Sequence, residues 1–390
     1  MFKSKQGKNP IKNMKPFLPT LFLITFLWGC SSVSINDSSK RNENWCWFVN
    51  KATGQGEWVP VKDETNLPDG DYTLFYKDGK VYQTGKLKDK KDCDTLVYFR
   101  PDGKLMYKGF NQPNSKLKLF RADGKYVSYY QTGEVMERGE YKKNEWIGLN
   151  TLYYKSGKIE CKTITNGDSM LGMLYYESGH MKDSSFAINM KKEGLSKGWY
   201  ENGKLKAAVQ YSNGKENGHC IWYFENGNLQ ATDDYQNGLR DGFSKDWHEN
   251  GKLKATLHYS NGKEDGLCMW YYENGNLKET DYYQNGIRNG KCILYHESSA
   301  IKAQAEMING KEEGIIFFYY KDGAIKSKEN MSNGLKNGEA WYYHPNGKLS
   351  QHAFSRNGSA VSYKSYNEDG KLINERNENG FTDYEKEKKD

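Results

Sequence analysis

A glycine returns every 24 residues through most of this 390-residue chain. Gly179, Gly203, Gly227, Gly251 and Gly275 keep that interval, Ser299 takes the next slot, and Gly323 and Gly347 resume it. Each stands in one phrase, as in Glu201-Asn202-Gly203-Lys204-Leu205 and Glu225-Asn226-Gly227-Asn228-Leu229. A fixed period of this length marks stacked supersecondary units that cannot bury their apolar faces alone. Such a chain describes its scaffold in far more detail than its ligand.

Asn-Gly between two alternating apolar runs signals a hairpin, because a type I′ turn needs positive φ at both central residues. Around Asn226-Gly227, Cys220, Trp222 and Phe224 alternate with Ile221, Tyr223 and Glu225, and Leu229, Ala231 and Asp233 alternate with Gln230, Thr232 and Asp234. That pattern predicts two strands and a tight turn per repeat. A second Asn-Gly pair closes each unit, at Asn213-Gly214, Asn237-Gly238 and Asn261-Gly262. It reads as a longer turn joining one hairpin to the next. The expected fold is all-β: an elongated antiparallel β-meander of tandem hairpins, advancing about 10 Å per repeat. Residues 197–242 match residues 245–290 at 32 of 46 positions, so a two-repeat block has been copied.

The ends read differently. Residues 1–29 carry five lysines and no acid, and the apolar run from Phe17 to Trp28 is too short to span a membrane, which fits a signal peptide. A more ordinary leader opens at Met14. Residues 30–44 are polar and serine-rich, as a flexible tether would be. Residues 45–70 read as an irregular cap, 71–375 as the repeats, and 376–390 as a charged disordered tail.

The formal charge of +7 misleads. Without residues 1–29 the chain carries 52 basic and 50 acidic residues, a balance that argues against a nucleic-acid partner. Cys220, Cys268 and Cys292 hold one slot in different repeats, too far apart to bridge and suited to burial as small apolar groups. Cys46 and Cys93 are candidates to pair, and Cys161 has no obvious partner. His248, His296 and His344 fall where Tyr200, Phe224, Tyr272 and Tyr320 do, about 20 Å apart in pairs, beyond the reach of one metal ion. Glu201, Glu225 and Glu249 recur at turn entrances and read as a solubilising rim. No nucleophile elbow, P-loop, dinucleotide fingerprint or paired-cysteine motif occurs. The expectation is therefore no enzyme activity, no catalytic residue, no cofactor and no metal. The candidate binding residues are aromatic: Trp222, Trp270 and Trp341 in one slot, with Tyr223, Tyr271 and Tyr342 in the next.

Two resemblances add to this reading. Leu27-Trp28-Gly29-Cys30-Ser31-Ser32 resembles a bacterial lipobox, which implies a lipid on Cys30, a membrane as partner, and delivery to the bacterial cell envelope, at the outer membrane. The phrase Gly-x-x-x-Trp-Tyr-x-x-x-Gly, in Gly218 to Gly227 and Gly266 to Gly275, with Gly338 to Gly347, resembles the variant class of MORN repeats (membrane occupation and recognition nexus) over residues 70–375. That resemblance implies a non-enzymatic scaffold contacting a protein or a membrane, and supplies no catalytic residues. Bacterial members are often described as antitoxins, which makes an antitoxin-like or immunity protein one alternative. A glycan-binding surface protein using the aromatic row is another.

Overall fold

The computed structural model describes residues 45–50, 56–60, 69–76, 78–89, 91–92, 94–110, 124–142, 145–377 and 380–384. They form strands and the short connections between them, and no helix occurs among them. Two compact units divide the chain, Met1–Gly179 and His180–Asp390. Within each, successive strands pair antiparallel, so the hairpin meander expected from the glycine period is the observed fold.

In the first unit the strands Trp45–Asn50 and Gly56–Pro60 pair with each other, and the former also pairs with Gly70–Phe75. Both lie in the stretch read as an irregular cap. Tyrosines build this unit's core. Their rings run in series from Tyr76 through Tyr82, Tyr98, Tyr107 and Tyr126 to Tyr141 and Trp146, with centroids 4.7 to 6.2 Å apart. Tyr72, Leu74, Leu87 and Leu96 form the aliphatic end of the same layer. Cys30 and Cys93 lie outside the described residues, as does the Cys46 side chain.

The second unit shows the repeat at its most regular, and it exchanges the roles of the two turns. At Glu201-Asn202-Gly203 the Gly203 N–H donates to Tyr200 O and the Tyr200 N–H donates to Lys204 O, both at 2.9 Å. Three residues therefore form the loop, and Gly203 alone takes positive φ, 83°. That is the three-residue hairpin, a type I turn closed by a glycine in the left-handed region. Asn202 contributes its side chain instead, its Oδ1 accepting from the Lys204 N–H at 3.0 Å. The two-residue I′ turn sits at the other pair: Asn213 has φ 51° and Gly214 φ 82°, directly between the paired residues Ser212 and Lys215. Asn237, Asn261, Asn285, Asn309, Asn333 and Asn357 repeat that conformation. A third glycine, Gly218 in this repeat, takes φ 108° where the strand bulges, and the Asn217 N–H bonds Gln210 O at 2.9 Å.

Both rims are tied repeat to repeat. The hydroxyls of Tyr200, Tyr272 and Tyr320 donate to carbonyls of the next repeat (Tyr223, Tyr295 and Tyr343) at 2.7 to 2.8 Å. His248 and His344 reach the equivalent carbonyls of Tyr271 and Tyr366 with Nε2, at 3.2 and 2.9 Å. These two histidines thus do the structural work of the slot they share with tyrosine, whereas the Nε2 of His296 makes no such bond. On the opposite rim, the Gly214, Gly238 and Gly262 amides donate back to carbonyls of the preceding hairpin (Lys192, Glu216 and Arg240) at 2.8 to 2.9 Å. At the C-terminal end, Gly380–Asp383 pairs with Leu372–Asn377, inside the segment read as a disordered tail.

Burial in the second unit lies on one face. Ala207, Cys220, Asp233, Ser244, Ala255, Cys268, Asp281, Cys292, Ala303 and Ala340 all project there, small or polar groups at the centre of each strand. Larger neighbours cover them: Trp222 packs on Tyr235 and Trp270 on Tyr283, both edge-on at 6.5 and 6.4 Å. The slot-sharing cysteines are free and buried, as expected.

Candidate functional site

The three tryptophans expected to hold one slot do not share a face. Trp222 stands opposite Ala207 and Ala231, and Trp270 opposite Ala255 and Glu279, both on the buried face and half-covered. Trp341 stands opposite Lys328 and His352, on the other face, stacked on the His352 ring at 5.6 Å. The cause is a count. Trp222 and Trp270 lie five residues before their turn glycines, whereas Trp341 lies six before Gly347. Side chains alternate across a strand, so one residue of slip reverses the face. Tyr342 is the residue equivalent to Trp222, and its hydroxyl accepts from Lys336 Nζ at 2.7 Å. Tyr223 and Tyr271 follow register shifts and pair with Leu229 and Leu277.

The buried face carries a feature absent from the sequence reading. Following each I′ turn, one slot reads Lys192, Glu216, Arg240, Glu264, Arg288, Glu312 and Lys336, alternating in sign every 24 residues. The cations meet buried acids. Arg240 contacts Asp233 at 3.2 Å, Arg288 contacts Asp281 at 2.7 Å and Glu279 at 3.0 Å, and Lys336 contacts Glu329 at 2.8 Å. Asp233, Asp281 and Glu329 are spaced 48 residues apart, while Leu257 and Ala305 fill the slot between. Burial alone would lower the Arg240 pKa, but Asp233 and Tyr235 outweigh it and the net direction is up. Burial, and then the Asp281 carboxylate, push Glu279 up to about 7. Burial, and the Asp281 carboxylate beside it, also raise the Cys292 thiol. Asp183 is raised to about 6 by burial, against the pull of Lys192. The alternation was readable from the residues after each Asn-Gly pair. The acids were hidden because nothing in a single strand shows which side faces inward.

The opposite face presents apolar groups to solvent. The residue after each bulge glycine recurs as Leu195, His219, Phe243, Leu267, Lys291, Ile315 and Glu339. Phe243 pairs with His258, their rings 5.0 Å apart, and Leu267 pairs with Tyr282. Phe243 is 59% exposed and Tyr282 47%. His219–Asp234 and Lys291–Glu306 flank this stretch as cross-strand pairs, the first with His219 Nδ1 and Asp234 Oδ1 2.8 Å apart. In the first unit, a shallow depression of ≈ 370 Å³ is lined by Thr95, Lys108, Gly109, Lys125, Tyr126 and Val127.

Residues 122–143, 192–213, 216–237, 240–261 and 264–285 match the family model of the MORN repeat variant. The five segments together cover 110 of the 390 residues. The last four run almost end to end, and each spans one hairpin, centred on the three-residue turn and ending at the next I′ turn. Each matched segment is therefore one strand pair of this sheet. No curated protein matches the chain. Among solved structures it is similar to "Crystal Structure of TcdB2-TccC3-TEV" at 11% identity, covering 86% of this chain and 22% of that one with a TM-score of 0.14. It is also similar to "Crystal Structure of TcdB2-TccC3" at 10% identity, covering 82% and 25% with a TM-score of 0.13. The chain thus spans a quarter or less of the structures it matches.

Proposed function

We propose that this chain is a non-enzymatic MORN-repeat scaffold whose exposed face binds a protein partner. One observation carries the reading: Phe243, Leu267 and Tyr282 stand exposed on adjoining strands, between polar pairs at His219–Asp234 and Lys291–Glu306. An apolar centre with a polar rim is the anatomy of a protein interface. The aliphatic members, Leu195, Leu267 and Ile315, favour a protein over a sugar, which stacks on flat rings. The test compares the parent with F243A/Y282A in pulldowns from envelope extracts. Both side chains are exposed, so the variant should melt as the parent does and lose its captured partner. Equal capture by both would refute the assignment of this face. Quenching of tryptophan fluorescence by polysaccharide, lost in W222A or W270A, would favour a glycan instead.

The lipobox-like segment supports a second part of the proposal, that the scaffold is held at the bacterial envelope by a lipid on Cys30. A Cys30→Ala variant should leave the membrane fraction, and its full retention there would refute the anchor.

A further inference from the structure

The copied block supplies its own control for the most unusual cluster in the molecule. Asp233 and Asp281 hold one slot 48 residues apart, as do Arg240 and Arg288. In the first copy the neighbouring slots carry Ala231 and Ser244; in the second they carry Glu279 and Cys292. The first site sets Asp233 against Arg240, with the half-buried Asp246 on the same face where the second copy has Leu294. The second adds a carboxylate and a thiol, and both additions fall at one point. One ligand atom each from Glu279, Asp281 and Cys292 lie within 4.8 Å of one another.

Arg288 does not use up this donor set. Its Nη2 meets Glu279 Oε1 and Asp281 Oδ2. Asp281 is 0% exposed, and its Oδ1 has no hydrogen-bond partner. A fully buried carboxylate oxygen without a donor is costly unless a proton or a cation compensates it. We propose that Glu279, Asp281 and Cys292 bind one zinc-type divalent cation, with Arg288 retained beside the carboxylates.

The charges balance. Two carboxylates, one thiolate, one guanidinium and one divalent ion sum to zero. Without the ion, two carboxylates and Arg288 leave one negative charge in a buried place. Binding releases the thiol proton to solvent, together with the Glu279 proton where it is present. Mixed sulfur and oxygen donors suit Zn²⁺ and Cd²⁺ rather than Mg²⁺ or Ca²⁺, and three protein ligands leave a coordination position for water.

The experiment uses the reduced full chain and the variant E279A/C292S, which installs at these two slots the residues of the first copy, Ala231 and Ser244. Equilibrium dialysis against Zn²⁺ should show one more ion per chain in the parent than in the variant. Cd²⁺ should give the parent a thiolate charge-transfer absorbance that C292S lacks. E279Q, close in shape, should weaken zinc binding at least tenfold while keeping the parent's melting temperature without metal. Equal zinc stoichiometry in parent and E279A/C292S, or cadmium absorbance unchanged by C292S, would overturn the proposal and leave the cluster held by a shared proton and Arg288 alone.

Discussion

Replacing Arg240 with Met should reveal how the sheet tolerates a buried carboxylate. Asp233 is 1% exposed, and Arg240 Nη2 is the cation on it at 3.2 Å. Arg240→Met keeps most of the stem packed over the Tyr259 ring but removes the charge, which lies 5.3 Å from the ring centroid. Asp233 must then stay ionised without a cation or take up a proton. Protonating a carboxylate at pH 7, about three units above its reference value, costs about 4 kcal/mol and sets the ceiling on the loss. Removing one partner of a buried ion pair costs about 3 to 5 kcal/mol in general, in line with that ceiling. The expected destabilisation is therefore about 3 to 4 kcal/mol at pH 7. The sign follows from linkage: the variant's folded state holds a proton that the unfolded chain gives up above pH 4. The loss should grow with rising pH and fall below about 1 kcal/mol near pH 4. D233L/R240M removes both charges and copies the Leu257 slot of the next repeat, so it should lie within about 1.5 kcal/mol of the parent. Urea unfolding followed by tryptophan fluorescence at the two pH values measures all three. If R240M and the double variant lose the same stability, or if the R240M defect is independent of pH, the ion-pair reasoning is wrong.

Three further outcomes follow from the same geometry. Gly262→Ala puts a Cβ on a residue at φ 79°, 3.4 Å from Leu239 Cδ2, and should cost about 1 to 2 kcal/mol in thermal unfolding; an unchanged melting point would rule out the I′ turn there. Tyr272→Phe removes the 2.7 Å bond to Tyr295 O and should cost about 1 kcal/mol, with faster amide exchange at that rim; unchanged exchange would argue against the rim tie. Burial raises Asp183 from 3.8 to about 6, so the parent loses stability as pH climbs through that window; Asp183→Asn should flatten the profile and gain at most about 3 kcal/mol above pH 6, and a profile parallel to the parent's would refute the raised value.

Much of the fold was legible because backbone demands leave marks on composition. Positive φ at a hairpin corner selects glycine, and a strand with one buried face alternates. The two Asn-Gly turns were interchanged because the dipeptide does not say which residues close the ladder. Tyr200 and Lys204 enclose three residues, while Ser212 and Lys215 enclose two, and only pairing distinguishes them. The aromatic row failed for a plainer reason. Trp341 was matched by its Trp-Tyr neighbours rather than by its distance from Gly347, and one residue of slip moved it to the other face. The exposed row was legible in principle, as the residue after each bulge glycine. It was passed over because Phe243, Leu267 and Ile315 share that slot with His219, Lys291 and Glu339.

The backbone repeats every 24 residues, but the buried charges repeat every 48, which makes a pair of hairpins the smallest unit that keeps its own electrostatics. In the slot after each I′ turn, neighbours of opposite sign stand about 10 Å apart. At an effective dielectric constant of about 20, each neighbouring pair is worth about 1.7 kcal/mol, attractive as it stands and repulsive if two like slots meet. Deleting residues 241–264 removes one repeat and sets Arg240 beside the Arg288 slot; deleting 241–288 removes two and sets it beside Glu312. Both deletions join the chain at an equivalent point of the repeat. On burial alone the longer deletion should be the more damaging. On the charge alternation it should be the milder, with the shorter one carrying a swing of about 3 kcal/mol at the new junction. Melting temperatures of the two deletion variants, in low and high salt, separate these outcomes. A less stable two-repeat deletion at every salt concentration would show that the alternation does not govern how the repeats stack.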